Sequence, residues 1–229
     1  MVLSKFMDIV LALIFLILII LAVFPGVRTG VGNILQVASQ SLGFELELPK
    51  WLQGKDSAGG SCTDIASCKL LVKTATPSLS AAQVNSLLAE KNSPATGTGS
   101  VFESESSRTG IDDAIALAFF WQESNFGTAG VAVHTKSMGN IKYTNPQDCL
   151  GGSYKNPKDG ALFCVYSNWE AGIRSWYDRI DKYYIAEGRD TLGSIISKYA
   201  PCSENNVQQY VANVIEFVKD YRDVSSCPV

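Results

Sequence analysis

An apolar run, Ala116-Leu117-Ala118-Phe119-Phe120-Trp121, passes through Gln122 to the carboxylate of Glu123, and Ser124-Asn125-Phe126-Gly127-Thr128 follow at once. Read as a helix, the stretch begins at Thr109, with Asp112 three residues on to complete a capping box. Ile111, Ile115, Phe119 and Glu123 recur every four residues and so share one face. Glu123 therefore continues an apolar stripe, and Gly127 provides a stop just past the last turn. Three effects then push its carboxyl group the same way. Apolar neighbours penalise the charged form, the negative end of the helix dipole disfavours another negative charge, and aromatic bulk excludes water. A glutamate held protonated near neutral pH suits a general acid, the group that protonates the leaving oxygen when a glycosidic bond breaks. The plainer alternative is a glutamate turned outward at a frayed helix end.

The chain around this stretch has 229 residues, room for one domain plus extras. A net charge of -3, with Lys and Arg scattered, leaves no electrostatic footprint for nucleic acid. The hydrophobic fraction of 46% is inflated by the unbroken apolar run from Ile9 to Phe24. As a helix that run covers about 24 Å, and extension toward Phe6 or Val27 brings it to the ~30 Å of a bilayer core. Phe24-Pro25-Gly26-Val27-Arg28 offers no small-x-small cleavage site, so residues 1–28 are expected to be a retained signal anchor with the remainder outside the membrane. Residues 29–75 read as a juxtamembrane linker, with Asp56-Ser57-Ala58-Gly59-Gly60-Ser61 as a flexible spacer.

All six cysteines follow the anchor, no Cys-x-x-Cys is present, and His134 is the only histidine. Disulfides in an oxidising compartment explain this better than a metal site, and no cofactor is expected. Local pairing gives Cys62–Cys68, Cys149–Cys164 and Cys202–Cys227 as the expected bridges.

Several further elements must position Glu123. Ser80 caps a helix with Val84, Leu87 and Leu88 inward, ended by Asn92-Ser93-Pro94. Another short helix is expected over 101–108. Met138-Gly139-Asn140-Ile141-Lys142-Tyr143 reads as a turn entering a strand, Asn145 to Gly160 as an exposed loop, and Ala161 to Tyr166 as a second strand. Ser167-Asn168-Trp169-Glu170 is a capping box for a helix carrying Trp169, Ile173, Trp176, Tyr177, Ile180 and Tyr184. Thr191 caps the next helix, stopped at Pro201, and Ser203 the last, whose stripe is Val207, Tyr210, Val211, Val214, Val218 and Tyr221. The fold class is α+β, mainly helical with a small β-hairpin lobe.

Four stretches, in order, resemble the glucosaminidase domains of family 73 glycoside hydrolases, which cut bacterial peptidoglycan. These are Phe120 to Thr128 with Lys136-Ser137-Met138-Gly139-Asn140-Ile141-Lys142; Tyr166-Ser167-Asn168-Trp169-Glu170-Ala171-Gly172-Ile173; Ile196-Ser197-Lys198-Tyr199-Ala200-Pro201; and Asn205-Asn206-Val207-Gln208-Gln209-Tyr210. The likeness covers roughly 76–221 within an expected domain 76–225. It implies a lysozyme-like fold with a cleft between helical body and β-lobe, and cleavage of β-1,4 bonds after N-acetylglucosamine. It implies Glu123 as the general acid, Asn140 and Tyr166 as cleft residues, and Tyr199 near the scissile bond. The expected partners are peptidoglycan strands and, through the N-terminal helix, the membrane.

Each site residue also has a structural reading. Tyr166 and Tyr199 could be packing aromatics, Asn140 a turn cap, and Trp169 and Trp176 core rather than sugar platforms. No motif singles out a second carboxylate among Asp148, Asp159 and Glu170, and the substrate's acetamido oxygen is an alternative nucleophile. A lytic transglycosylase, a muramidase on the same fold and a catalytically silent wall-binding module are the competing functions.

Overall fold

The computed structural model describes residues 64–202 and 205–227, all within one compact unit, Gly60–Val229. The expected anchor 1–28, most of the linker and the Ser203 cap lie outside the described residues. Among those described, no helix is long and apolar enough to cross a membrane.

The described chain is α+β, with helices α1 (Ala81–Glu90), α2 (Gly99–Thr109), α3 (Asp113–Ser124), the single turn α4 (Ala132–Thr135), α5 (Trp169–Tyr183), α6 (Leu192–Tyr199) and α7 (Val207–Val218). Strands β1 (Ser153–Lys155) and β2 (Leu162–Cys164) form one antiparallel pair, with Ser153 opposite Cys164 and Lys155 opposite Leu162. The hairpin expectation holds for β2 and is corrected for its partner. The paired strand falls inside the stretch expected as loop, while residues 138–143 stay irregular and contribute only the Lys142–Phe163 bridge. Ser153-Tyr154-Lys155 is three residues long within a stretch rich in Asn, Gly, Pro and Lys, too short to carry a strand signal of its own.

Helix α3 is the centre. Ala114 to Phe120 are all 0–1% exposed, so the helix is buried all round rather than along one stripe. It starts later than expected. Thr109 ends α2, and the cap is Asp112, whose carboxylate accepts from the Ala114 amide. Asp112 also accepts from Arg222 at 2.8 Å and from the Ser78 hydroxyl at 2.9 Å, fastening the C-terminal tail and the segment before α1 to the start of α3. Asp113 is fully buried beside it, and burial, together with Asp112, pushes its carboxyl up to about 7. Phe102 of α2 meets Phe120 and Tyr177 edge-on, linking α2, α3 and α5.

The caps of α1 and α6 are as read: Ser80 with Gln83, and Thr191 with Ser194, are reciprocal capping boxes. Helix α5 begins one residue later than expected, capped by Asn168, and α7 is capped by Asn206. Residues 64–75 are packed rather than linker-like: Leu70 and Val72 are buried, and Leu71 and Lys73 bridge to Thr191 and Ile111.

Cys149–Cys164 is bridged as expected. Cys68 pairs with Cys227, 159 residues away, which overturns both Cys62–Cys68 and Cys202–Cys227; Cys202 is disulfide-bonded as well. Proximity in sequence misled here because the first and last described segments run side by side, the Lys69 amide donating to the Ser226 carbonyl. Replacing Cys149 and Cys164 together by Ser is expected to cost about 2–4 kcal/mol by freeing the unfolded loop. Thermal unfolding of the double variant against wild type measures it.

Candidate active site

The end of α3 is shaped by a left-handed run. Asn125, Phe126 and Gly127 have φ of 47°, 56° and 83°, so the helix stops at the Asn125 cap, two residues before the expected glycine. Asn tolerates this conformation, and Gly127 also needs its missing Cβ because the Trp169 ring closes on that position. Ser124, next to the glutamate, is buried, and its hydroxyl ties down the turn that follows. It donates to the Met138 carbonyl at 2.8 Å and accepts from the Gly127 amide at 2.9 Å. The turn 138–140 is thereby held against the end of α3.

That turn brings Asn140 to Glu123. Asn140 is itself left-handed, at φ 46°. Its Nδ2 donates to the Glu123 carbonyl at 2.7 Å and reaches the carboxylate Oε2 at 3.4 Å. From the other side, Tyr210 of α7 donates its hydroxyl to Glu123 Oε1 at 2.9 Å. Phe119, one turn below, is ringed by Trp176, Tyr199 and Tyr210 at 5.1–5.6 Å between ring centroids. Burial raises the Glu123 carboxyl above its ordinary value, against the opposing pull of the Tyr210 and Asn140 hydrogen bonds and of Lys142. Glu123 is thus a partly exposed carboxyl in an aromatic setting, biased toward its neutral form and supplied with donors for its charged form.

Tyr199 stands in the same neighbourhood. Its hydroxyl donates to the Gly139 carbonyl at 2.5 Å and accepts from Trp176 Nε1 at 3.3 Å, and burial raises its phenol well above the usual value, with Glu123 adding to the effect. Gly139 has no room for a side chain, since a Cβ would strike Trp176.

Glu123, Asn140 and Tyr199 are therefore brought together, and Tyr166 is not joined to them. Tyr166 is buried after β2, and its hydroxyl shares a 2.7 Å hydrogen bond with Ser175 of α5 at a separate cavity of about 580 Å³. The carboxylates weighed as second partners are engaged elsewhere. Asp148 accepts from the Tyr183 hydroxyl at 2.8 Å, Asp159 accepts from the Ala161 amide in its own turn, and Glu170 stands in the first turn of α5. Trp176 is core, at 1% exposure, and His134 is exposed and stacked on Tyr154. Tyr210 is the contributor that periodicity hid: it lies on the apolar stripe of α7, and only the position of α7 against α3 turns its hydroxyl into a partner for Glu123. Among the described residues no group of three or more His, Cys, Asp or Glu is placed to hold a metal ion.

No protein-family model matches the chain, and no curated protein matches it in sequence.

Removal of the Tyr210 hydroxyl takes away a hydrogen bond that favours ionised Glu123. Tyr210→Phe is therefore expected to raise the Glu123 carboxyl further, and 13C NMR titration of labelled glutamate reads the upward move.

Proposed function

We propose that this protein is a peptidoglycan hydrolase of the glucosaminidase type, with Glu123 as the general acid on a lysozyme-like helical domain. The observation that carries the reading is the state of Glu123: a carboxyl kept toward its protonated form by burial, yet with Tyr210 and Asn140 already hydrogen-bonded to its oxygens. A general acid needs both properties. Below its raised pKa it holds the proton that the leaving glycosidic oxygen requires, and once it has given the proton up, the two donors stabilise the carboxylate left behind. Asn140 adds an acceptor at the same place, because its Oδ1 is buried with no hydrogen-bond partner. An acetamido N–H of an N-acetylated sugar would fill it. Tyr199 acts through the turn, fixing the carbonyl next to Asn140.

In this reading the activity falls as pH rises through the Glu123 pKa, and the raised value keeps the enzyme active at higher pH than an ordinary glutamate would allow. The apolar run from Ile9 to Phe24 would hold the catalytic domain on the outer face of the cell membrane, against the wall. The disulfides accord with such a compartment.

Product analysis tests the proposal. The full chain in detergent is incubated with purified peptidoglycan, the digest is reduced with borohydride, and the new ends are identified by mass spectrometry. Reduced N-acetylglucosamine ends are expected. Reduced N-acetylmuramic acid ends would make it a muramidase, anhydromuramic ends a lytic transglycosylase, and a folded protein that releases no ends a wall-binding module.

A further inference from the structure

We propose that the cavity beside Tyr166 is a second binding site, one that takes the C-terminal carboxylate of a short peptide, with Arg179 as its anchor; given the proposed function, this peptide is the stem attached to the glycan. The cavity lies between α5 and the segments 147–151 and 165–167, and holds about 580 Å³. Glu123 and Asn140 are not among its walls.

Charge decides the ligand class. Five charged side chains line the cavity: Asp148, Arg174, Asp178, Arg179 and Lys182. Four have ionic partners. Arg174 faces Glu105 at 3.5 Å, Lys182 faces Asp148 at 3.7 Å, and Asp178 is held by Arg108 at 2.5 Å. Arg179 alone of the five forms no ion pair among the described residues. Its guanidinium donates to the Thr144 hydroxyl at 3.1 Å and lies over the Tyr183 ring. A half-buried guanidinium bonded to a neutral hydroxyl has donors left over, and a carboxylate is the planar anion that matches its fork. The acids Asp148 and Asp178 at the same cavity oppose a doubly charged phosphate, which selects a single negative charge.

The remaining walls suit a small peptide. The Tyr166–Ser175 hydroxyl pair can shift its shared hydrogen to donate to or accept from an amide. Leu150, 93% exposed at the rim, offers apolar surface to short aliphatic side chains. The lactyl carboxyl of N-acetylmuramic acid is taken up in the amide bond to the stem, whereas the stem's own C-terminus is a free carboxylate. One wall of the cavity is Ser175, adjacent in sequence to Trp176, whose indole holds Tyr199. A stem seated there would be bound next to the glycan site rather than within it.

The test uses the full chain in detergent and calorimetric binding of acetyl-L-Lys-D-Ala-D-Ala as the free acid and as its C-terminal amide. The free acid is expected to bind at least tenfold more tightly than the amide. Arg179→Gln is expected to erase that preference, and Arg179→Lys to keep part of it, with the unfolding temperature of each variant showing that it is folded. Equal binding of acid and amide, or a preference that survives in folded Arg179→Gln, would overturn the proposal. So would glycerol phosphate that displaces the peptide at equal concentration, since the anion site would then belong to phosphate polymers. No glycosidic bond is cut in this assay, and Glu123→Gln should bind the peptide as wild type does. A failure of the peptide site therefore shows here, and a failure of the hydrolase reading shows only in the glycan products.

Discussion

Glu123→Gln is expected to lower peptidoglycan cleavage by about 10³-fold while making the protein more stable at neutral pH. The amide keeps the shape of the side chain, and its oxygen can still accept from Tyr210, so the site should remain assembled. It has no proton of suitable acidity to give, so the leaving oxygen departs unassisted. The stability effect follows from the same burial that raises the carboxyl. A glutamate whose folded pKa lies above its unfolded value binds its proton more tightly when folded. Wild-type stability from this group is fully present below the unfolded value, near pH 4, and is lost as pH rises through the folded one. The glutamine variant has no such loss. Its advantage should thus be close to zero at about pH 4 and grow as pH rises toward neutral. Thermal unfolding across pH and release of reducing ends are the two measurements. A variant that clears cell wall at the wild-type rate would end the general-acid role. One that is inactive but no more stable would show that the carboxyl is not strained by burial.

Gly139→Ala is expected to damage both fold and site. The added methyl would run into Trp176 and lie 3.0 Å from the Tyr199 hydroxyl, in the middle of the aromatic ring around Phe119. Trp176 is core and cannot swing away, so the turn itself must move, at a cost of about 1–3 kcal/mol. That turn carries Asn140, whose amide reaches Glu123, and the carbonyl that Tyr199 holds. An activity loss of about tenfold or more beyond the loss of stability is expected, because small displacements of positioning groups are costly. Gly188→Ala is the comparison. It has open space around it but φ of 84°, so it should cost about 1 kcal/mol through backbone strain and leave activity unchanged. Unfolding curves and end-group release for both variants separate a filled approach from a strained turn.

Local chemistry was readable along the chain wherever neighbours in sequence were also neighbours in space. Ser80 with Gln83 and Thr191 with Ser194 bond within a single turn, so their boxes could be seen in the residue order. The closeness of Glu123 to the end of an apolar helix was readable for the same reason. Glu123 and Asn140 meet across only 17 residues, through a turn that Ser124 ties down. Other features depended on contacts over long separations. Tyr210 reaches Glu123 across 87 residues, and Cys68 reaches Cys227 across 159. Periodicity marks only which face of α7 is inward, not that one hydroxyl on that face points at a carboxyl. Even the burial of α3 was understated, because a stripe read from spacing cannot show that α2, α5, α6, α7 and the tail pack against its other faces. Residue type and spacing thus determined the helices, the hairpin region and the candidate acid. The packing of α7 and α5 around α3 decided the partners of that acid, its raised pKa and the place of Tyr166 in a separate cavity, because burial and long-range hydrogen bonds exist only once the chain has closed on itself.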